Sequence, residues 1–116
     1  MGNIQAFLQR LSSAQDALQH SQLSEALIIH HDEADGLASA ALTKLALENV
    51  NLKTRLICID KLYPEIVANI ESDSRRVLVY TDIGSAHMDL LIRANKSQNL
   101  ILALDHHDTV NIADTI

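Results

Sequence analysis

The chain reads ALIIHHDEADGLASA over residues 26–40, an apolar run that ends in histidines and carboxylates. The run at residues 26–31 is short, continuous and rich in isoleucine, which is typical of a buried strand in a parallel sheet. A segment rich in Ala and Leu follows at residues 37–47 and predicts a helix. A strand followed directly by a helix is the repeating unit of α/β folds.

The same order recurs along the rest of the chain. Three further apolar runs predict strands at residues 55–60, 77–81 and 100–104. Pro64 predicts the first turn of a helix that reaches residue 70, since proline is favoured there. Ser85 predicts the N-cap of a helix over residues 85–94. Alternating strands and helices predict an α/β fold, a parallel sheet of about four strands with helices on both faces.

An amphipathic helix is predicted over residues 3–20, where apolar side chains recur at helical spacing. We take residues 1–22 as an N-terminal helix and residues 23–116 as the sheet domain. We expect this helix to pack on the sheet; the alternative is that it forms a homodimer. Residues 109–116 predict no further complete helix or strand, so we expect the chain to be the N-terminal part of a longer protein.

Composition limits the classes of function. The chain has 116 residues, 47% of them apolar, a formal net charge of −6 and one cysteine. This predicts one soluble domain with no intrachain disulfide, in which Cys58 is a small buried core residue. Few cations and few aromatics argue against a long nucleic-acid track. Without a signal peptide or an apolar span, we expect a cytoplasmic protein and no membrane contact.

Acids and histidines follow the predicted strands, where the carboxyl ends of a parallel sheet bind ligands. They are His30, His31, Asp32, Glu33, Asp35, Asp60, Asp82, Asp105, His106, His107 and Asp108. So many carboxylates would repel one another without a cation among them. Carboxylate and imidazole ligands without thiolate favour Mn²⁺ over Zn²⁺, with Mg²⁺ or another divalent ion as the alternative. More ligands than one ion needs predict two ions, the arrangement used to hydrolyse phosphate esters.

Each element also has a purely structural interpretation. Asp35-Gly36 alone is an ordinary helix cap and turn, and Asp82 alone is an ordinary loop residue. His106-His107 alone is a pair of hydrogen-bond partners. We interpret Asp60 as the start of a loop, and His87, inside a predicted helix, as exposed or structural.

Three segments together resemble the DHH phosphoesterases. Residues 28–40 resemble the first motif of that family, residues 80–85 the second, and Asp105-His106-His107 the signature that names it. Order and spacing match over residues 24–109. The resemblance implies a Rossmann-like DHH domain with metal ligation by Asp35, Asp82 and His106.

The resemblance also implies a role for each remaining site residue. Asp82 would bridge two ions, His107 would face the substrate phosphate, and Asp105 would orient the histidine pair. His31 is the better placed histidine of the first motif. Glu33 stands where the family usually has Asp. Strand alternation puts His31, Glu33 and Asp35 on one side, which favours Glu33 over Asp32 as a ligand.

The family's fourth motif and its substrate-binding domain have no counterpart in this chain. The expected function is a metal-dependent phosphoesterase, RecJ-like, that hydrolyses phosphodiester bonds of short single-stranded nucleic acid or small nucleotides. Two-metal activation of water would drive the reaction, and this fragment alone is expected to be weakly active or inactive. The alternative is a non-catalytic DHH module that acts as a binding or assembly part.

Overall fold

The computed structural model describes residues 4–71 and 75–105. Helices and strands alternate after the first helix, as the apolar pattern predicts. The helices are α1 (Ile4–Ser21), α2 (Ala34–Asn49), α3 (Pro64–Glu71) and α4 (Met88–Ala94), the last preceded by a 3₁₀ turn at Ser85–His87. The strands are β1 (Glu25–His30), β2 (Lys53–Cys58), β3 (Val77–Thr81) and β4 (Leu100–Leu104). The α/β prediction is confirmed.

The four strands form one parallel sheet in the order β2-β1-β3-β4. The chain leaves β1 for β2 on one side and then returns to place β3 on the other side of β1. Connections at the carboxyl ends of β1 and β3 therefore run in opposite directions. This divergence opens the crevice in which parallel α/β sheets hold ligands.

Helices cover both faces of the sheet. On one face α3 and α4 bury Val67, Ile70, Met88 and Leu91 against alternate residues of the strands. On the other face α2 buries Ala40 and Leu47. Since every residue of β3 is buried, its uninterrupted apolar run reflects burial on both sides.

The first helix packs on the sheet, as predicted. Leu18 of α1 packs against the core on the α2 face, and α1 contacts β4. Leu8 and Leu11 on the same helix are exposed. None of the helices within residues 4–71 and 75–105 is long and apolar enough to span a membrane.

Cys58 is exposed, so its prediction as a buried core residue was wrong. It ends β2, and β2 is an edge strand whose residues are exposed or half-buried. An apolar run indicates a strand, but it does not indicate whether that strand is central or at the edge. The position of β2 in the sheet explains the exposure of this thiol.

A network of hydrogen bonds between buried polar groups connects helix α3 to the sheet. The Glu71 side chain, 0% exposed, accepts a hydrogen bond from the Tyr80 hydroxyl at 2.9 Å. Asn99 accepts a hydrogen bond from the Arg76 amide and donates one to the Glu71 carbonyl. These bonds join the end of α3 to the starts of β3 and β4.

Burial raises the pKa of Glu71 to about 7, although the hydrogen bond from Tyr80 acts in the opposite direction. The pKa of Tyr80 is raised by burial and then by its neighbour Glu71. The carboxyl is therefore largely protonated at mildly acidic pH, where an exposed glutamate would be ionised, and it lies inside the core and away from the carboxyl edge.

Candidate functional site at the carboxyl edge of the sheet

A cavity of about 470 Å³ lies at the carboxyl ends of the strands, where the strand order predicts a crevice. Each of the four strands contributes a residue at or just beyond its end. The lining residues are His31, Ile59, Asp60, Lys61, Leu62, Tyr63, Asp82, Ile83, Gly84, Ala86, His87 and Asp105. Three residues of the predicted site, His31, Asp82 and Asp105, therefore meet in one cavity.

Asp82 is placed by the backbone immediately after β3. Its amide donates a hydrogen bond of 2.7 Å to the Leu104 carbonyl at the end of β4. Its φ of 61° lies in the left-handed region, which aspartate adopts more readily than most residues with a side chain. Only 4% of the residue is exposed. The fold thus holds a buried carboxylate at the cavity.

His31 is the direct partner of Asp82. Its Nε2 lies 2.8 Å from Asp82 Oδ2, and its Nδ1 accepts a hydrogen bond from the Glu33 amide at 3.1 Å. Because Nδ1 is an acceptor, the proton of the neutral ring is on Nε2 and is donated to Asp82. The first two motifs are therefore in contact through one imidazole and one carboxylate.

Gly36 permits this position of His31. A Cβ at residue 36 would lie 2.6 Å from His31 Nδ1 and 2.6 Å from the His31 carbonyl oxygen. Only a residue without a side chain allows the first turn of α2 to approach this closely. The Asp35-Gly36 pair is therefore more than a helix cap, because its glycine makes room for the site histidine.

Gly84 shapes the opposite wall. Its φ of 107° is one that side chains rarely adopt, and an added Cβ would lie 3.2 Å from Tyr80 Cβ. The turn at Gly84 directs the chain from Asp82 into the 3₁₀ turn that carries His87. Gly84 therefore sets the position of this wall against the core.

The contact between His31 and Asp82 fits the donor pair of a metal ion. Two ligand atoms of one ion, bound at about 2.1 Å and at right angles, lie roughly 3 Å apart. The observed separation of Nε2 and Oδ2 is 2.8 Å. An imidazole nitrogen and a carboxylate oxygen are also the donor types that Mn²⁺ and Zn²⁺ share.

Ligation through Nε2 has a consequence for the first motif. The ring proton would move from Nε2 to Nδ1, which accepts a hydrogen bond from the Glu33 amide. The protonated Nδ1 and the Glu33 amide would then both be donors, and two donors cannot form a hydrogen bond with each other. Metal binding at His31 is therefore incompatible with the present position of the Glu33 amide and requires a shift of residues 32–33.

Glu33 and Asp35 do not line the cavity, and both are exposed. Strand alternation does not extend to them, because β1 ends at His30 and α2 begins at Ala34. The parity that favoured Glu33 over Asp32 therefore has no structural basis. Across residues 4–71 and 75–105, no three His, Cys, Asp or Glu side chains are close enough to hold a metal ion. His106 and His107 lie outside the described residues.

Sequence reasoning did not place Lys61, Tyr63 or His87 in the site, and it set Asp60 aside as the start of a loop, yet all four residues line the cavity. Lys61 and Tyr63 follow β2 as Asp60 does, so the rule that strand ends form the site could have included all three. His87 lies in a 3₁₀ turn and not in a regular helix, and it is exposed at the cavity. Its interpretation as exposed is confirmed, but its place at the cavity was not predicted.

The sequence matches no protein-family model, and no curated protein matches it. Membership of the DHH family therefore stays a prediction from the three sequence motifs.

Proposed function

We propose that this chain is a metal-dependent phosphoesterase that hydrolyses phosphodiester bonds of short single-stranded nucleic acid or small nucleotides. The observation that carries the proposal is the 2.8 Å contact between His31 and Asp82 at the carboxyl edge. Asp105, the first residue of the third motif, lines the same cavity. Residues that are 51 positions apart in sequence thus meet where a parallel sheet binds its ligands.

In this proposal His31 and Asp82 hold a divalent ion, Mn²⁺ in the first instance. Asp35 and His106 are the further ligands that the family resemblance implies, and Glu33, which stands where the family usually has Asp, is another candidate ligand. A bound divalent ion would supply Lewis acidity and a water of lowered pKa. Asp105 would orient the histidine pair, and His107 would face the substrate phosphate.

A calorimetric titration with Mn²⁺ tests the metal site. Wild-type chain should bind Mn²⁺, with the proton of the neutral His31 ring moving from Nε2 to Nδ1. Asp82→Asn should abolish binding. Asp89→Asn is the matched control, because Asp89 is an exposed acid of α4 that pairs with Arg93 and does not line the cavity.

Activity is tested with labelled short oligonucleotides in Mn²⁺. Hydrolysis by the wild-type chain, lost in Asp82→Asn and kept in Asp89→Asn, supports the phosphoesterase. If the wild-type chain neither bound Mn²⁺ nor hydrolysed the oligonucleotides, the proposal would be refuted.

The second candidate is a non-catalytic module used for binding or assembly. The exposure of Glu33 and Asp35, away from the cavity, favours it. A metal-bound state in which residues 32–33 have shifted would disfavour it. Amide chemical shifts of residues 31–36 with and without Mn²⁺ distinguish the two, since only a working site predicts large changes there.

A further inference from the structure

Several of the side chains that line the cavity are apolar or aromatic and are not needed to hold a metal ion. Leu62 and Ile83 line it while their inner sides pack against the core on the α3 and α4 face. Tyr63 lines it too and is 45% exposed. Its ring is not part of either core cluster. An aromatic ring left beside two apolar side chains at a ligand site is available to an apolar part of the ligand.

The backbone fixes where Tyr63 lies. Its amide donates a hydrogen bond of 3.0 Å to the Lys61 carbonyl, and its carbonyl accepts one of 3.0 Å from Val67. Pro64 follows and restricts Tyr63 to extended conformations. The backbone of Tyr63 is therefore fixed at the start of α3, so little backbone conformational entropy is lost when a ligand binds to the ring.

The charged side chains of the cavity are Asp82 and Asp105, which with His31 form its metal-binding pole, and Asp60 and Lys61, which follow β2 and precede Tyr63. With a divalent ion at the metal-binding pole, a ligand that suits the whole cavity carries an anionic group next to a flat apolar ring. A nucleotide has this combination, and a bare phosphate or pyrophosphate lacks the ring.

We propose that Tyr63, Leu62 and Ile83 form a nucleobase subsite within this domain, so that the substrate of the proposed phosphoesterase is held by its base as well as by its phosphate. The base stacks on the Tyr63 ring, and the adjoining phosphate lies between Lys61 and the metal-binding pole. The phosphate part of this inference rests on the proposed function, whereas stacking of the base does not.

Stacking is measured first with neutral ligands in EDTA, so that neither metal nor phosphate contributes. Adenosine should shift the NMR signals of residues 61–63 and 83, and ribose should not. Tyr63→Leu should weaken adenosine binding roughly tenfold, as expected for the loss of one base–aromatic stack. Tyr63→Phe keeps the ring and should bind as the wild type does. Tyr80 is buried in the core, so the aromatic signal that changes is that of Tyr63.

The second measurement compares AMP with ribose 5-phosphate in Mn²⁺. Wild type should prefer AMP roughly tenfold, and Tyr63→Leu should bind both equally. Adenosine stacking without Mn²⁺ binding would leave the subsite standing and refute the phosphoesterase. Oligonucleotide hydrolysis with no preference for AMP would support the phosphoesterase and refute the subsite.

Two further results would overturn the subsite. One is equal adenosine binding by wild type and a folded Tyr63→Leu variant, with folding checked by thermal unfolding. The other is a dimer in sedimentation that Tyr63→Leu dissociates, since the apolar wall would then be covered by a second copy of the chain.

Discussion

Replacing Glu71 by Gln should remove a pH dependence of folding stability that the buried carboxyl creates. Its pKa is about 7 in the folded chain, against a reference value of 4.5 for an unburied group. Between these values the folded state binds the proton and the unfolded state has released it. Stability must therefore fall as pH rises through this window, because the folded state binds more protons.

The size of the fall follows from the shift. A change from 4.5 to about 7 corresponds to about 3 kcal/mol of unfolding free energy, at 1.36 kcal/mol for each pKa unit. Below about pH 4.5 both states are protonated, and above about pH 7 both are ionised, so this group contributes no slope there. Burial is the cause, since Oε2 of Glu71 has no hydrogen-bond partner among the described residues.

Gln is neutral at every pH and retains an oxygen that can accept the Tyr80 hydrogen bond. Glu71→Gln should therefore match the wild type near pH 4.5 and exceed its stability by up to about 3 kcal/mol near pH 8. Urea unfolding at a series of pH values measures this. Comparing the two proteins cancels the titration of the six histidines.

Glu48→Gln is the matched control. Glu48 is exposed, and its hydrogen bond with Lys44, followed by that with Thr54, lowers its pKa below 4.5. The contribution of Glu48 to stability is therefore lost only as pH falls below about 4.5, outside the range in which Glu71 titrates. Equal slopes for wild type and Glu71→Gln between about pH 5 and 7 would refute a protonated, buried Glu71.

Three further changes test other parts of the structure. Gly36→Ala should destabilise the fold by about 1–3 kcal/mol, because the overlap of the new Cβ with the His31 backbone outweighs the gain of about 1 kcal/mol in helix propensity. It should also abolish Mn²⁺ binding. Urea unfolding measures the stability, and calorimetry measures the binding. Asn99→Ala should cost about 1–3 kcal/mol in urea unfolding, since it leaves the buried Arg76 amide without its side-chain acceptor. The Cys58 thiol should react with a disulfide reagent in the native state as fast as in a short peptide.

Each of these has a control. Ala38→Gly, at an exposed position of α2, reports the propensity effect alone, and a stabilised Gly36→Ala would contradict the close approach to His31. Asn49→Ala changes an exposed asparagine and should have little effect. If Asn99→Ala is equally mild, the network that connects α3 to the sheet does not stabilise the fold. Native-state protection of Cys58 would contradict its position on an edge strand.

Element types were predictable because they depend on local patterns. Strands of a parallel sheet that is covered by helices on both faces are buried on both sides, so they have short, continuous apolar sequences, and such runs predict strands. The predicted bounds of β3 and β4 agree with the structure. The bounds of α2 do not, since the helix begins at Ala34 and so includes Asp35, whereas the sequence predicted a helix that begins only at residue 37.

The site was predictable in outline for a related reason. Parallel strands all end at one edge, so residues after each strand were expected to be neighbours, and His31, Asp82 and Asp105 do share a cavity. Glu33 and Asp35 follow β1 equally closely in sequence and yet do not line it. Their separation arises because helix α2 turns the chain away within a few residues of the strand.

By itself the sequence determined the alternation of strands and helices and the chemical character of the strand ends. Both are written in residues close to one another in the chain. Only the tertiary structure decided the strand order, which makes β2 an edge and exposes Cys58. The same packing buries Glu71 beside Tyr80 and brings Tyr63 to the cavity of Asp82. These outcomes depend on contacts between residues distant in sequence, and local periodicity carries no information about which elements become neighbours.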